Sequence, residues 1–212
     1  VQTCALPIYI PFIFFSTDLV FDGRQGNYVE SDAPNPLSIY AETKLAAEQV
    51  VARNPRHTII RTSLNGGVSP TGDRGFNEEM RRAWRNGQAM TLFTDEFRQP
   101  CTAENVAEVI LEVCERVDTR GLLHWAGAEL LSRHEMGRRI REHFKLTERQ
   151  APLEAVTRAD NPAVARTRQP CLAIDCSPLA GRLKTRPQTF AAQLEELHVP
   201  SPVRDWYHGL SG

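Results

Sequence analysis

The sequence predicts an α/β fold with a parallel sheet. Two strand-like segments, residues 12–15 and 57–61, are typical of strands that are buried on both faces of such a sheet. Between them, residues 38–53 have the periodicity of a helix, which ends before Pro55. A strand, a helix and a second strand in this order predict a βαβ unit, in which the two strands run parallel.

The alternation of strands and helices continues along the chain. Ser132 is expected to cap a helix, with Glu135 at the third helical position. Ser177 begins another helix, because proline follows it at the first helical position. The other predicted elements are a glycine-rich loop at 64–75, helices at 76–86 and 103–117, and a strand at 121–125.

Composition and charge exclude several classes of function. The 212 residues include 25 Lys plus Arg and 26 Asp plus Glu, so the formal net charge is −1. Such a balance argues against bulk attraction to nucleic acid or to an anionic membrane, and no apolar run reaches the roughly 20 residues that span a bilayer. The five cysteines form no CxxC pair and the six histidines lack metal-ligand spacing. These features predict a cytoplasmic protein with reduced thiols and no metal site.

The first residues do not fit the pattern that follows them. Residues 1–8 (VQTCALPI) begin without methionine and match no element of the predicted fold. We interpret them as a non-native leader joined to the gene, which predicts that the natural N-terminus is absent. A natural strand and loop remains the alternative.

Three side chains could carry chemistry. Tyr40 and Lys44 form a YxxxK motif on the predicted helix, where residues four apart are neighbours on one face. An ammonium beside a phenol favours the phenolate, so we expect Lys44 to lower the pKa of Tyr40 from about 10, as a general acid or base requires. Thr17, at the end of a predicted strand, can hold a substrate carbonyl oxygen. The motif alone also fits a solvated helix face.

Two segments carry a resemblance to a known family. They are residues 15–23 (FSTDLVFDG) and 35–48 (NPLSIYAETKLAAE). Both resemble the dTDP-4-dehydrorhamnose reductase family of extended short-chain dehydrogenases/reductases, and the likeness extends from about residue 12 to residue 197. The resemblance implies reduction of a nucleotide-linked 4-keto sugar by NADPH, or NADH, with Thr17, Tyr40 and Lys44 as catalytic residues.

The resemblance also assigns binding residues. It implies cofactor contacts from Ser16, Tyr40, Lys44 and the strand end Arg61, Thr62 and Ser63, and substrate contacts from Thr17, Asp18 and Arg98. A guanidinium suits bidentate binding of a diphosphate. A surface salt bridge of Arg98 with Asp95 or Glu96 remains an equal alternative. The expected partner is a nucleotide sugar, and a homodimer is left open.

The family fold implies a division into two parts. The expectation is a partial Rossmann-like doubly wound parallel sheet plus a smaller C-terminal substrate-binding lobe. Residues 9–63 and 98–120 would belong to the NADP-binding domain, and residues 64–97 and 121–212 to the lobe. The Gly-rich GxxGxxG turn that receives the pyrophosphate does not occur before residue 15. We therefore expect a fragment that is inactive alone and that exposes an edge and a face of its sheet.

Other functions within the same superfamily stay open. Residues 121–127 and 175–177 resemble the regulatory beta subunit of methionine adenosyltransferase, which would bind NADP without turning over a sugar. An epimerase or a dehydratase of the same superfamily is a third possibility. Dehydratases usually carry an acidic pair after the threonine, and Leu19 after Asp18 counts against that chemistry. After Ser63 the reductases usually have an aromatic residue and a tyrosine. Residues 64–67 (LNGG) depart from that pattern, so the sugar could differ from rhamnose.

Overall fold

A computed structural model describes residues 10–69, 71–160 and 162–197, so residues 1–8, interpreted as a leader, lie outside the described part. The strands are β1 (Ile13–Thr17), β2 (Thr58–Thr62), β3 (Asn65–Gly66), β4 (Met90–Phe93), β5 (Phe97–Arg98), β6 (Cys101–Thr102), β7 (Gly121–Trp125), β8 (Leu131–Ser132) and β9 (Leu153–Val156). The α-helices are α1 (Ile39–Val51), α2 (Phe76–Arg85), α3 (Ala103–Glu115), α4 (Arg133–His143), α5 (Pro162–Thr167), α6 (Ser177–Ala180) and α7 (Phe190–Glu195).

The main sheet has three parallel strands in the order β1-β2-β7. This sheet and the helix between β1 and β2 confirm the predicted βαβ unit. The register places Thr17 opposite Thr62 and Thr62 opposite Trp125, so the carboxyl ends of all three strands form one edge. Ligands of open α/β sheets bind at this edge.

Three boundaries differ from the prediction. Strand β1 continues through Thr17, so Ser16 and Thr17 end the strand instead of following it. Helix α3 ends at Glu115 and leaves Val117 outside, 84% exposed, because only its earlier valines reach the core. The loop at 64–75 contains the two-residue strand β3, which pairs with β6.

The two faces of the sheet pack against different helices, because successive side chains of a strand point to opposite faces. Ile60 packs against Val109 of α3 in a core that includes Trp125. Trp125 is fully buried and its Nε1 donates to Asn105 Oδ1, so this side chain belongs to the core. The neighbouring Arg61 points to the opposite face, where α1 lies.

A separate core forms the second lobe. Helices α2, α4 and α7 enclose buried side chains that include Met80, Trp84, Met136, Ile140 and Phe190. The short sheet β4-β9 covers this core through Leu92. Strand β7, which the sequence expectation gave to the lobe, pairs with β2 in the main sheet.

The outer strand of the main sheet is β1. Within the described residues it pairs only with β2. Phe15 on this strand is 41% exposed. A parallel strand of this kind normally has neighbours on both sides and helices on both faces. The unpaired side of β1 can therefore accept a further strand.

The described residues hold no membrane-spanning helix, no metal-binding cluster and no disulfide. None of their helices combines the length and the apolar character that crossing a bilayer requires. They contain no group of three or more His, Cys, Asp or Glu side chains placed to hold a metal ion. Cys101, Cys114, Cys171 and Cys176 are free thiols.

A buried ion pair fixes α1 on the sheet. Arg61 of β2 donates from Nε to Glu48 Oε1 at 2.9 Å and from Nη2 to Glu48 Oε2 at 2.7 Å. Both side chains are almost fully enclosed, and the guanidinium lies over the Phe21 ring at 4.9 Å. Two parallel hydrogen bonds define the distance and the rotation of α1 relative to β2.

Replacing Arg61 by Met should lower the free energy of unfolding by about 3–5 kcal/mol, because the Glu48 carboxylate would stay buried without a partner. Urea denaturation measures this loss. Arg138→Met removes an exposed pair with Glu135 and serves as the control, with an expected loss of about 0–1 kcal/mol. The double variant Arg61→Met/Glu48→Leu should recover much of the stability, and a double variant as unstable as the single one would contradict this account.

Candidate functional site

The carboxyl ends of β1 and β2 are joined by a hydrogen-bonded set. Asp18 follows β1 directly, and its Oδ2 accepts from Ser63 Oγ at 2.8 Å, just beyond β2. Its Oδ1 accepts from Thr17 Oγ1 at 3.3 Å, and the Leu19 amide donates to Thr17 Oγ1 at 3.2 Å. The Thr17 hydroxyl therefore has fixed partners at the edge where ligands of such sheets bind.

Asp18 is a carboxyl group inside the protein. Only 3% of the residue is exposed, and this burial raises its pKa to about 6, since a charged carboxylate loses its hydration there. The positive charge of Arg98 and the hydrogen bonds from Ser63 and Thr17 oppose the increase in pKa without cancelling it. Asp18 consequently changes its charge close to neutral pH.

Helix α1 brings Tyr40 and Lys44 to the same edge. The helix begins after Ser38, whose Oγ accepts from the Ala41 amide as an N-cap. Lys44 Nζ donates to the Phe15 carbonyl oxygen at 2.9 Å and lies 5.9 Å from the centroid of the Tyr40 ring. Lys44 thus ties the helix to β1 two residues before Thr17.

The expected lowering of the Tyr40 pKa is wrong. Partial burial of the phenol raises its pKa, and the negative charge of Asp18 raises it further. Lys44 does not reverse this effect, because its ammonium binds the Phe15 carbonyl and lies beside the ring. Tyr40 remains 53% exposed, so its hydroxyl opens to solvent and stays protonated at neutral pH.

Internal partners already bind the side chains of the second strand end. The Arg61 guanidinium belongs to the ion pair with Glu48, and Ser63 donates to Asp18. Thr62 Oγ1 lies 3.4 Å from Cys101 Sγ. A contact of residues 61–63 with a cofactor would therefore come from their backbone.

The salt bridge of Arg98 with Glu96, one of the alternatives considered from the sequence, is present, but it is buried and does not lie at the surface. Its Nη1 donates to the carbonyl oxygens of Phe97 and Gln169, and its Nη2 lies 3.1 Å from Glu96 Oε1. Asp95 instead accepts from the Arg158 amide. A phosphate would have to displace Glu96 to reach this guanidinium.

Sequence reasoning missed the arginines that surround Glu96. Arg168 lies 3.3 Å from this buried carboxylate and Arg133 lies 3.9 Å from it, in addition to Arg98. These three guanidiniums share the Glu96 carboxylate, and the charges of Asp18 and Glu79 act on Arg98 and Arg133 as well. A neighbouring cavity of about 210 Å³ is lined by Arg24, Arg158, Arg166 and Arg168, together with Asp22. The density of arginine between residues 158 and 168 was the available signal.

The residues at the strand ends fit one end of a nicotinamide cofactor. An ammonium has three N–H donors, and the Phe15 carbonyl uses one from Lys44, which leaves two for the hydroxyls of a ribose. The Ser16 hydroxyl is buried and has no hydrogen-bond partner among the described residues. The exposed Tyr40 phenol completes a set of polar groups at this edge.

Comparison with known proteins gives a consistent result. A family model described as "RmlD substrate binding domain" matches residues 2–200. The "Probable low-salt glycan biosynthesis reductase Agl14" of Haloferax volcanii is 34% identical over 194 residues, which cover 90% of this chain and 63% of that protein. "Methionine adenosyltransferase 2 subunit beta" of Danio rerio is 32% identical over 140 residues, or 63% of this chain and 43% of that protein.

A solved structure supports the fold. The dTDP-4-dehydrorhamnose reductase of Bacillus anthracis, in complex with NADP, superposes with a TM-score of 0.80 at 20% identity, covering 90% of this chain and 66% of that one. The chain spans less than two thirds of the length of these three proteins. From the family match and the parallel sheet together, the chain belongs to the RmlD substrate-binding domain family.

Proposed function

We propose that this chain carries the catalytic residues of an NAD(P)H-dependent reductase that acts on a nucleotide-linked 4-keto sugar, as dTDP-4-dehydrorhamnose reductase does. The observation that carries the proposal is the hydrogen bond from Lys44 Nζ to the Phe15 carbonyl oxygen. It holds the helix with Tyr40 and Lys44 against the strand that ends in Thr17. The proposed cytoplasmic location agrees with the free thiols.

In this mechanism the nicotinamide cofactor, when bound, supplies the hydride that reduces the keto carbon. Tyr40, which its raised pKa keeps protonated at neutral pH, donates the proton to the oxygen. Lys44 holds the ribose hydroxyls with its two remaining donors. Thr17 orients the carbonyl oxygen, next to the buried Asp18.

The arginine side chains of the lobe support the proposal that the substrate is an anion. The guanidiniums around Glu96 and in the adjacent arginine-lined cavity suit a diphosphate, which arginine binds through two parallel hydrogen bonds. The loop after Ser63 lacks the aromatic residues expected for the rhamnose pathway. The proposal therefore names a nucleotide-linked keto sugar as the class and leaves the sugar unspecified.

A regulatory subunit is the second candidate. The 32% identity with the methionine adenosyltransferase subunit beta favours it directly. A raised Tyr40 pKa is compatible with both functions, because a binding protein can keep these residues for the cofactor. Binding of a purified methionine adenosyltransferase, seen as co-elution in size-exclusion chromatography, would support this candidate over the reductase.

Tyr40→Phe should lower kcat/KM for the 4-keto sugar at least about a hundredfold, because the proton donor is lost. NADPH oxidation followed at 340 nm measures the effect. We expect NADPH affinity to stay near normal, since Lys44 and the strand ends remain. Turnover equal to that of the unchanged protein would eliminate the reductase mechanism.

Tyr40 should ionise above the ordinary pH of about 10, since burial and the Asp18 carboxylate both raise its pKa. Absorbance at 295 nm as a function of pH, with the Tyr40→Phe variant subtracted, isolates this group. In Asp18→Asn the negative charge is absent and the midpoint should move down. A midpoint below 9 in the unchanged protein would show that Lys44 dominates after all.

A further inference from the structure

The Thr17 hydroxyl can donate a hydrogen bond to only one acceptor at a time. A threonine has one O–H and two lone pairs. In the structure the O–H is directed to Asp18 Oδ1, and one lone pair accepts from the Leu19 amide. While this arrangement lasts, Thr17 can accept a hydrogen bond from a substrate but cannot donate one to a carbonyl oxygen.

We propose that Asp18 is a positioning residue that decides whether the Thr17 hydroxyl donates to the substrate. The inference rests on the proposed reductase function. When Asp18 is ionised, its carboxylate accepts the hydrogen bond that the Thr17 hydroxyl donates. When Asp18 is protonated, its O–H donates to Thr17 Oγ1, and the Thr17 hydroxyl turns to the carbonyl oxygen of the bound sugar.

The geometry of the carboxyl group supports this reversal. Oδ2 is held by Ser63 at 2.8 Å, whereas the contact of Oδ1 with Thr17 is longer, at 3.3 Å. The proton therefore adds to Oδ1, the oxygen with the weaker hydrogen bond. Water does not compete, because Asp18 is buried.

Several charged or titratable groups face Asp18. Arg98 from β5 favours its ionised form. Tyr40 from α1 and the buried Cys101 thiol from β6 are close enough for Asp18 to raise the pKa of each. Both remain neutral near pH 6, so only Asp18 changes its charge there. Its pKa of about 6 places the change within the range of an enzyme assay.

The direction of the pH dependence follows from these states. As the pH falls through about 6, Asp18 gains its proton and Thr17 becomes a donor. A hydrogen bond from Thr17 to the developing alkoxide stabilises the transition state. We therefore expect kcat/KM to rise about tenfold or more below this pH. As the pH rises to 8, Asp18 is ionised, and the contribution of the Thr17 hydrogen bond to kcat/KM should disappear.

Asp18→Asn tests the inference, since the amide N–H can donate to Thr17 and the amide oxygen can accept from Ser63 at every pH. We expect its kcat/KM to be flat between pH 5 and 8 and, at pH 8, to exceed that of the unchanged protein. Asp118→Asn, at an exposed carboxylate bound to Arg116, should keep the original profile. Ser63→Ala removes a hydrogen bond that lowers the Asp18 pKa, so its inflection should move to higher pH.

A second measurement does not depend on turnover. The ¹³C resonance of the Asp18 carboxyl group, identified by its loss in Asp18→Asn, should titrate near pH 6 in this chain and at higher pH in Ser63→Ala. A midpoint below about 4.5, or an inflection in kcat/KM that survives in Asp18→Asn, would overturn the inference. Absence of keto-sugar reduction in the unchanged protein and in every variant would instead contradict the proposed function.

Discussion

The buried ion pair between Arg61 and Glu48 is the constraint on which the site depends. It joins the middle strand of the sheet to the helix that carries Tyr40 and Lys44. A buried pair of this kind contributes little net stability compared with apolar packing, but the loss of one partner is costly. Its effect is therefore geometric: it fixes how α1 lies over the strand ends, and Lys44 then reaches the Phe15 carbonyl.

Burial, more than charge pairing, controls the protonation of this site. The pKa values of Asp18 and Tyr40 are both raised, and loss of hydration is the largest cause for each. The ionised Asp18 also makes it harder for Tyr40 to lose its proton. Both effects keep the Tyr40 phenol protonated at neutral pH.

The arginines of the lobe are positive charges that lie close to one carboxylate. Arg98, Arg133 and Arg168 share one buried carboxylate, Glu96. Desolvation of guanidinium is costly unless anions balance it. A substrate with a diphosphate would complete that balance, which connects the charge of the lobe with the chemistry proposed at Tyr40.

The sequence alone determined the βαβ unit, the helix that carries Tyr40 and Lys44, and the family, because these follow from local periodicity and from a continuous motif. The tertiary structure decided the electrostatics. Residues distant in sequence meet only in the folded chain, as Asp18 does with Ser63 and Arg98, and their burial sets the pKa values. Local spacing places Lys44 near Tyr40, but it cannot show that a backbone carbonyl binds the ammonium.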